Sequence, residues 1–373
     1  MTSKINIFKK FSGKVLLMLS LFIAFSTNLS ANEEPVVGTE ELTGAAHHEA
    51  TTEKAIDISA IAFEHILDAH SWHLWGEGHE TVAIPLPIII YSNTKGLQFF
   101  MSSKFEHGHA EYDGYSLVEE AIVSSDPAEK VYDFSITKNV AQMFISVIVL
   151  LLLFTSIAKT YKTQGVTTAP KGKQSFFEPL VVFVRDDLAK SNIGATSDKY
   201  VPYLLTVFFM ILVNNVFGLI PIGANLTGNI AFTLVLSVFT FILTNINGNK
   251  HYWGHIFLPH APKAIWPILI PIEVFGILTK PFALMIRLFA NITAGHIIII
   301  SLIGLIFIFK SIYIAPISVA FALFIDVLEV LVAFLQAYIF TMLTALFIGS
   351  AVADTNEDGA HTSDDDAVAE TGH

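Results

Sequence analysis

Long apolar segments alternate with short polar ones from residue 139 onward. The apolar segments cover residues 139–158, 202–221, 229–246, 266–309 and 314–352. A helix needs about 20 apolar residues to cross the hydrocarbon core of a bilayer, so each of the first three has the length of one span. The fourth is about twice that length and predicts either one strongly tilted helix or a short helix followed by a long one. The fifth is similarly long, and we predict an all-α polytopic membrane protein with about five transmembrane helical regions.

The first 31 residues have the layout of a secretory signal peptide. Lysines precede an apolar run at 15–25, and small residues follow at Ser26, Ser30 and Ala31, so cleavage is expected after Ala31. The alternative is a retained signal anchor. In both cases the chain from residue 32 lies on the outer side of the cytoplasmic membrane.

Residues 32–137 then form an acidic extension outside the membrane. They contain nineteen acidic residues against four lysines, and eight of the fourteen histidines. Strand-like runs at 81–91 and 96–102 predict a small mixed subdomain, and the beginning of the extension has a disordered composition. The histidines show no closed zinc-ligand spacing, so we predict a solvated, pH-buffering surface and no metal site.

Composition and charge restrict the possible functions. The chain has 53% hydrophobic and only 14% charged residues, with a mean hydropathy of +0.59, whereas soluble domains carry about 25% charged residues. The acidic balance, a net charge of −12, excludes a nucleic-acid binder. The apolar content excludes a disordered chain. Because the sequence has no cysteine, disulfides, thiolate sites and iron–sulfur clusters are also excluded.

The positions of lysine and arginine predict the orientation. Between the first two apolar segments lie seven of these residues and four acids, so the positive-inside rule places this loop in the cytoplasm. That agrees with an exported N-terminus. Five spans then place the acidic tail, residues 353–373, in the cytoplasm. The chain shows no internal repeat, which counts against a transporter built from inverted halves.

Arg287 lies in the middle of the fourth apolar segment. A charge inside the bilayer costs about 3 kcal/mol or more, and arginine does not deprotonate to avoid that cost. Small and polar residues share its helical face at three- and four-residue spacing: Ala283, Ala290, Asn291 and Ala294. The pattern fits a cation presented to a carboxylate of a neighbouring helix. It fits equally well a static ion pair with Asp326 or Glu329.

The fifth apolar segment carries a polar stripe along one side of the predicted helix. Its members step by three and four residues: Asp326, Glu329, Ala333, Gln336, Phe340 and Thr344. A buried carboxyl group favours its protonated form, which suits a proton carrier. His296 is a natural relay partner, although a lone histidine on an apolar helix is more often a hydrogen-bonded core residue. Glu273 and Lys280 share a face with Arg287 and form either a pore mouth or an interfacial pair.

Three linked motifs resemble the a subunit of the rotary ATP synthase. They are RLFANITAG from Arg287, LQAYIFTMLT from Leu335 and NNVFGLIP from Asn214. The resemblance covers about residues 199–352 and implies the stator half of a proton channel, with no catalysis of its own and no cofactor. It also implies that the two long segments form a steeply tilted hairpin. The extension lies outside the common core of the family and resembles a lineage-specific addition of Bacteroidetes-type members.

The resemblance implies a role for the residues around Arg287. Arg287 corresponds to the essential arginine of the family, which faces the carboxylates of the rotating ring of c subunits and blocks direct proton leakage. Gln336 corresponds to the glutamine beside that arginine, and Asn291 to the asparagine one turn beyond it. Asp326 completes the polar stripe, and we include it in the predicted proton-translocation set.

The resemblance also implies two half-channels. His296 and Glu329 correspond to a polar pair of the outward half-channel, and Glu273 to an acid near the cytoplasmic one. There is one departure from the family pattern. Gly218 stands three residues after Asn215, where many bacterial members have an aspartate, which puts any role for that acid in doubt.

By the same resemblance, the expected partners are the ring of c subunits, the b subunit stator stalk, the rest of the ATP synthase complex and membrane lipid. No nucleic acid is expected among them. The expected location is a bacterial cell inner membrane, with a periplasmic N-terminus and a cytoplasmic C-terminus.

Two rival classes were weighed against this interpretation. A stand-alone secondary transporter would need a midplane site on broken helices, usually with repeats, but the prolines of this chain form no matched pair. An intramembrane metalloprotease would need HExxH, and the string at His48 lacks the second histidine. A phosphate-binding GxxxxGK[ST] loop is also absent from the sequence.

Overall fold

The computed structural model describes residues 68–353, apart from gaps at 76–81, 109, 119, 127–128, 165–171, 221–222, 258–261, 263–264 and 310–312. The predicted signal peptide, the beginning of the extension and most of the acidic tail lie outside the described residues. The membrane part is helical throughout its long apolar segments. The predicted fold class is thereby confirmed.

The described part of the extension consists of short antiparallel strands and one 3-10 turn at Ser102–Gly108. In chain order the strands are β1 Ser71–Trp75, β2 Val82–Pro85, β3 Pro87–Ser92, β4 Gly96–Met101, β5 Tyr115–Val118, β6 Ala121–Ser124 and β7 Val131–Asp133. β1 pairs with β2, β5 pairs with β6, and β3 lies between β4 and β7. The two predicted strand-like runs form β2, β3 and β4.

A three-residue turn joins β3 to β4. Gly96 follows it with φ of 76°, a left-handed conformation that glycine adopts without strain and that is typical of three-residue hairpin loops. One face of this sheet is buried against the 3-10 turn and β5. Its core contains Ile88, Ile90, Phe100, Phe105 and Tyr115.

The rest of the described chain forms seven helices joined by shorter helical turns. They are α1 Lys138–Gln164, α2 Lys173–Val182, α3 Val201–Gly218, α4 Ile230–Ile246, α5 Lys250–Phe257, α6 Trp266–Phe309 and α7 Ile314–Val352. A π-helical stretch, Phe183–Lys190, continues α2, and 3-10 turns precede α3 and α4.

Four of these helices are long and apolar enough to cross a membrane: α1, α3, α6 and α7. The α4–α5 pair passes the same test as one segment bent by 101°, which gives up to five spans. α6 is a single helix of 44 residues that continues through Pro271 and Pro281. At 1.5 Å per residue it is about 66 Å long, roughly twice the thickness of a hydrocarbon core. The choice left open by the sequence is therefore settled in favour of one long helix.

The helices pack around α7. α3 lies against α1 and α7, while α6 lies between α4 and α7. Side chains of α3, α6 and α7 meet in one apolar core, which includes Phe208, Leu284, Leu288, Phe340 and Ile348. α6 and α7 run antiparallel: Asn291 of α6 contacts Gln336 of α7, and His296, later in α6, lies near Glu329, earlier in α7. They form the predicted hairpin.

The end of α7 is fixed by two neighbouring segments. A side chain at Gly349 would collide with the backbone carbonyl oxygen of Asn192, so only glycine allows this approach. The backbone N–H of Asn249 donates to the Ala351 carbonyl at 2.8 Å, and its side-chain amide donates to the Val352 carbonyl at 2.9 Å. These bonds satisfy carbonyls that the last helical turn leaves without partners.

Candidate functional site

Arg287 lies on an exposed face of α6. Ala283, Ala290, Asn291 and Ala294 are exposed on the same face, while Leu284 and Leu288 turn into the core. Within the described part of the chain, Arg287 has no carboxylate within ion-pair distance. Of the two alternatives that spacing leaves open, this geometry favours a cation presented to another helix.

An amide pair lies one turn from Arg287 and links the two long helices. The side-chain N–H of Asn291 donates to Oε1 of Gln336 at 3.1 Å. Gln336 is only 1% exposed, and its amide nitrogen has no hydrogen-bond partner among the described residues. The structure thus brings together two of the predicted site residues beside the arginine.

His296 and Glu329 form a second polar pair between α6 and α7. Nε2 of His296 is 3.8 Å from Oε1 of Glu329, close enough for electrostatic attraction but beyond hydrogen-bond distance. Glu329 is 5% exposed. The carboxyl group occupies space left by Gly295, where an added Cβ would lie 2.8 Å from Oε1. The Asn291–Gln336 and His296–Glu329 pairs together give the antiparallel register of the hairpin.

The polar stripe of α7 is narrower than the sequence suggests. Glu329, Gln336 and Thr344 are buried, but Asp326 is exposed. The expectation that both carboxyl groups are buried on one side is wrong for Asp326. Asp326 belongs to the first half of α7, residues 314–332, where most side chains are exposed, whereas Gln336 and Thr344 lie in the half that packs against its neighbours.

Glu273 and Lys280 lie on the same helix but do not form an ion pair with each other. Within the described residues Lys280 makes no ion pair, and its ammonium group lies over the Phe347 ring, 5.1 Å from the centroid. It lines a small pocket between α4 and α6 with Thr240, Thr244 and Tyr252. Glu273 lies seven residues before Lys280 on α6 and is partly exposed.

Sequence reasoning missed a cluster of buried polar residues between α1 and α3. Asn139, Gln142 and Ser146 are buried on α1, and Asn214 and Asn215 are buried on α3, which packs against α1. Ser146 Oγ donates to Asn214 Oδ1 at 2.6 Å, and Asn215 donates to the Ala333 carbonyl of α7 at 2.9 Å. The 3–4 residue spacing of the three α1 residues was the available signal.

Several atoms of this cluster have no hydrogen-bond partner in the described chain. They include both amide atoms of Asn139, Nε2 of Gln142 and Oδ1 of Asn215. Buried polar groups are ordinarily hydrogen-bonded, to protein or to water. Water is the partner that would satisfy the remaining atoms. It ends at Ala333, one helical turn from Glu329.

Gly218 lies next to a polar side chain of the turn before α4. An added Cβ would lie 3.6 Å from Oδ1 of Asn225, and this oxygen accepts the backbone N–H of Gly228 at 3.0 Å. The amide of Asn225 thus occupies the space next to residue 218. A polar group is present there, contributed by the turn before α4 rather than by α3.

Charged groups of the extension are tightly paired. Nε2 of His70 lies 2.8 Å from Oδ2 of Asp133 of β7, and Nδ1 lies 3.8 Å from Oε2 of Glu120. Burial alone would lower the pKa of His70, but the bonds to Asp133 and Glu120 outweigh it and raise the pKa to about 9. Among the described residues, no group of three or more histidine or carboxylate ligands is placed to hold a metal ion.

Comparisons with known proteins find a matching family and several relatives. The family described as "ATP synthase A chain" matches residues 140–349, and a domain of unknown function matches residues 61–143. "ATP synthase subunit a 2" of Prosthecochloris aestuarii is 40% identical over 95% of this chain and 98% of its own length. "ATP synthase subunit a" of Chloroherpeton thalassium is 51% identical over 62% of this chain and 71% of its own. This chain belongs to the ATP synthase A chain family.

Proposed function

We propose that this chain is the stationary part of the proton path of a rotary ATP synthase. It passes protons between two access routes and the carboxylates of a ring of c subunits, and the rest of the complex makes ATP. The chain itself is a non-catalytic membrane component and needs no cofactor. The observation that carries the proposal is Arg287, exposed in the middle of α6 without an ion-pair partner among the described residues.

Arg287 acts through its permanent charge. Its guanidinium group stays protonated, and in a medium of low dielectric constant it strongly favours an ionised carboxylate opposite it. A ring carboxylate that arrives protonated therefore releases its proton before passing Arg287. Because no proton can bind to Arg287 itself, the two access routes stay separated. The alanines of the same face let a partner helix approach closely.

The outer access route leads to Glu329. We assign to it His296, Glu329 and the buried polar cluster of α1 and α3. Water bound by the unpartnered amides of Asn139, Gln142 and Asn215 would carry protons to the carboxyl group. Glu329 then gives its proton to the ring carboxylate and takes another from the water side, so its own charge is restored in each cycle.

The inner access route lies at the other end of α6. Glu273 and Lys280 belong to it by position, since both precede Arg287 on the helix while His296 follows it. Asn291 and Gln336 hold the space beside the arginine with their mutual hydrogen bond. Asp326 is exposed on α7 and is placed to face a partner or the outer route.

The same proposal extends to domains, partners and location. Residues 1–31 are a signal peptide, 32–137 an extension, 138–352 the membrane domain and 353–373 a tail. The exposed face of α6 receives the c ring, and the b subunit stator stalk binds elsewhere on the helices. The membrane is the bacterial inner membrane, with the N-terminus periplasmic and the C-terminus cytoplasmic.

The test is ATP-driven acidification of inverted membrane vesicles. Arg287→Ala should assemble, since the change removes a charge from the membrane, and it should abolish pumping. Arg185→Ala is the matched control, because it removes the other arginine of the chain, which pairs with Asp186 outside the membrane spans. Assembly is checked on native gels. Normal pumping by an assembled Arg287→Ala complex would overturn the proposal.

A further inference from the structure

One face of the β4–β3–β7 sheet is apolar and exposed. We name it the free sheet face, formed by Tyr91 of β3, Leu97, Phe99 and Met101 of β4, and Tyr132 of β7. Leu97 and Phe99 are 71% and 68% exposed. The opposite face is the one that buries Ile88 and Ile90.

The sequence of β3 also indicates that both faces of the sheet are covered. PIIIY is a continuous apolar run, typical of strands buried on both sides rather than on one. Cross-strand register places Phe99 opposite Ile89, and Tyr91 opposite both Leu97 and Tyr132. All of these residues are uncharged, although the extension as a whole is strongly acidic. Exposed apolar patches of this kind mark a binding or membrane surface.

The sheet is joined to the membrane part without a flexible linker. Beyond β7, Phe134 donates to the Ile89 carbonyl at 2.8 Å and Ile136 donates to the Pro87 carbonyl at 3.1 Å. The β3 pairing thus continues to two residues before α1. At about 3.3 Å per residue, Tyr132 is at most about 20 Å along the chain from the first residue of α1.

Two further bonds hold the sheet against the beginning of α1. Lys138 donates its backbone N–H to the Ala69 carbonyl at 2.8 Å, and Asn139 donates to Oδ1 of Asp68 at 3.0 Å. His70, next in the chain, is bound to Asp133 of β7. The extension is therefore fixed beside the point where the chain enters the bilayer.

We propose that the free sheet face lies on the bilayer surface at which α1 begins. Leu97, Phe99 and Met101 enter the boundary between headgroups and acyl chains, and Tyr91 and Tyr132 act as interfacial anchors. Their rings are 6.5 Å apart at one end of the patch, and tyrosine is enriched at this depth because one end of its ring is polar. Lipid is the occupant that fits, because β7 at the side of this face continues through Phe134 and Ile136 to the beginning of a membrane-spanning helix.

The absence of cysteine from the sequence allows a direct test. Phe99→Cys and Leu97→Cys place single labels on the free sheet face, and Val123→Cys places one on an exposed apolar position of β6, which belongs to another sheet. The full-length chain, labelled with a fluorophore, is reconstituted in nanodiscs of phosphatidylethanolamine and phosphatidylglycerol. Quenching by headgroup nitroxide lipid is compared with quenching by aqueous iodide.

The labels at 97 and 99 should lose about half of their fluorescence to the nitroxide lipid and resist iodide, as expected of side chains at the headgroup boundary. The label at 123 should respond in the opposite way. Iodide access at 97 and 99 equal to that at 123 would show a solvent-exposed face and overturn the proposal. Protection from both quenchers would show a face covered by protein and overturn it as well. Equal nitroxide quenching at all three sites would also contradict it.

Discussion

His70 and Arg287 are both basic side chains that can form ion pairs, but in the part of the chain that the structure describes only His70 lies beside carboxylates. In the extension, His70 lies between Asp133 and Glu120 and is held by both. In the membrane part, Arg287 has no such partner in the described chain. The membrane is the place where an isolated charge costs most.

The difference separates structural charges from functional ones. A paired charge keeps one protonation state and stabilises the fold. A fixed cation that must attract a passing carboxylate is useful only while it lacks a permanent partner. Each of the following experiments either removes this difference or makes it more visible, beginning with the largest expected effect.

Giving Arg287 a permanent partner should inactivate the complex. Ala283→Glu places a carboxylate one turn before Arg287 on the same exposed face, the favourable order for a pair four residues apart. A charge-assisted pair of about 2 kcal/mol would reduce the free cation more than about tenfold, so pumping should fall at least that much. Vesicle acidification measures it.

Ala283→Gln is the control for the size of the new side chain. Glutamine has the same length as glutamate but no charge. Pumping by this variant should therefore fall only by the amount that the added bulk causes. Equal loss with glutamine and glutamate would mean that steric exclusion, rather than ion pairing, explains the result.

Neutralising the acceptor of the outer route should have the next largest effect. Glu329→Gln removes the carboxyl group, and water in the polar cluster can only partly replace it, so proton transport should slow about tenfold. His296→Ala should slow it less. Because Arg287 is intact in both, passive proton leakage through the vesicles should not rise. A leak in either variant would contradict the roles assigned here.

Gly295→Ala should have a smaller effect. The new methyl group would meet Oε1 of Glu329, and a flexible carboxylate can move aside at little cost in stability. We expect normal assembly and pumping reduced a few-fold, because a displacement of about 1 Å is enough to impair transfer. Gly276→Ala, on the same helix with open space around it, should pump normally. Poor assembly of Gly295→Ala would point to a packing role instead.

Removing the paired histidine should leave pumping unchanged and weaken the extension. His70→Gln loses a buried charged hydrogen bond, which is worth about 1 to 3 kcal/mol. The folded pKa of about 9 lies above the ordinary 6.5. The contribution of His70 is thus complete below pH 6.5 and is lost as the pH rises through 9.

Hydrogen exchange of residues 82–133 measures this dependence in the full chain. Wild type should lose protection as the pH passes 9, after correction for the intrinsic rate, and His70→Gln should lack that step. At acid pH the carboxyl groups of Asp133 and Glu120 matter. Burial alone would raise their pKa values, but the bonds to His70 outweigh burial and hold both pKa values below their usual range. Their contribution is lost only as the pH falls through those lowered values. An unchanged alkaline step in the variant would exclude His70 as its source.

The long helices could be predicted from the sequence because a helix that crosses a bilayer needs a long apolar run. α6 and α7 coincide with the predicted segments 266–309 and 314–352. α1 continues to Gln164, past the predicted end at 158. The prediction ended there because the apolar run ends there, whereas the last turns of the helix are polar. The continuity of α6 through two prolines could not be derived, since proline at these positions equally predicts a break.

The candidate site could be predicted from the sequence only in part. Spacing along one helix identified the Arg287 face, but the meeting of His296 with Glu329 depends on the register of two helices, and only the family resemblance suggested it. The polar stripe of α1 was missed because Asn139 and Gln142 resemble interfacial residues until α1 is known to pack on α3. Asp326 was placed with Glu329 because spacing along one helix does not show over which of its turns neighbouring helices cover it.

The exposed alanine face of α6 also bears on biogenesis. A newly inserted copy that has not met its partner carries Arg287 uncovered in the lipid, at a cost of about 3 kcal/mol. An orphan copy is therefore less stable in the bilayer than an assembled one, and we expect it to be the preferred substrate of membrane quality-control proteases. The residue to which we assign transport in the complex would then also limit the amount of unassembled chain.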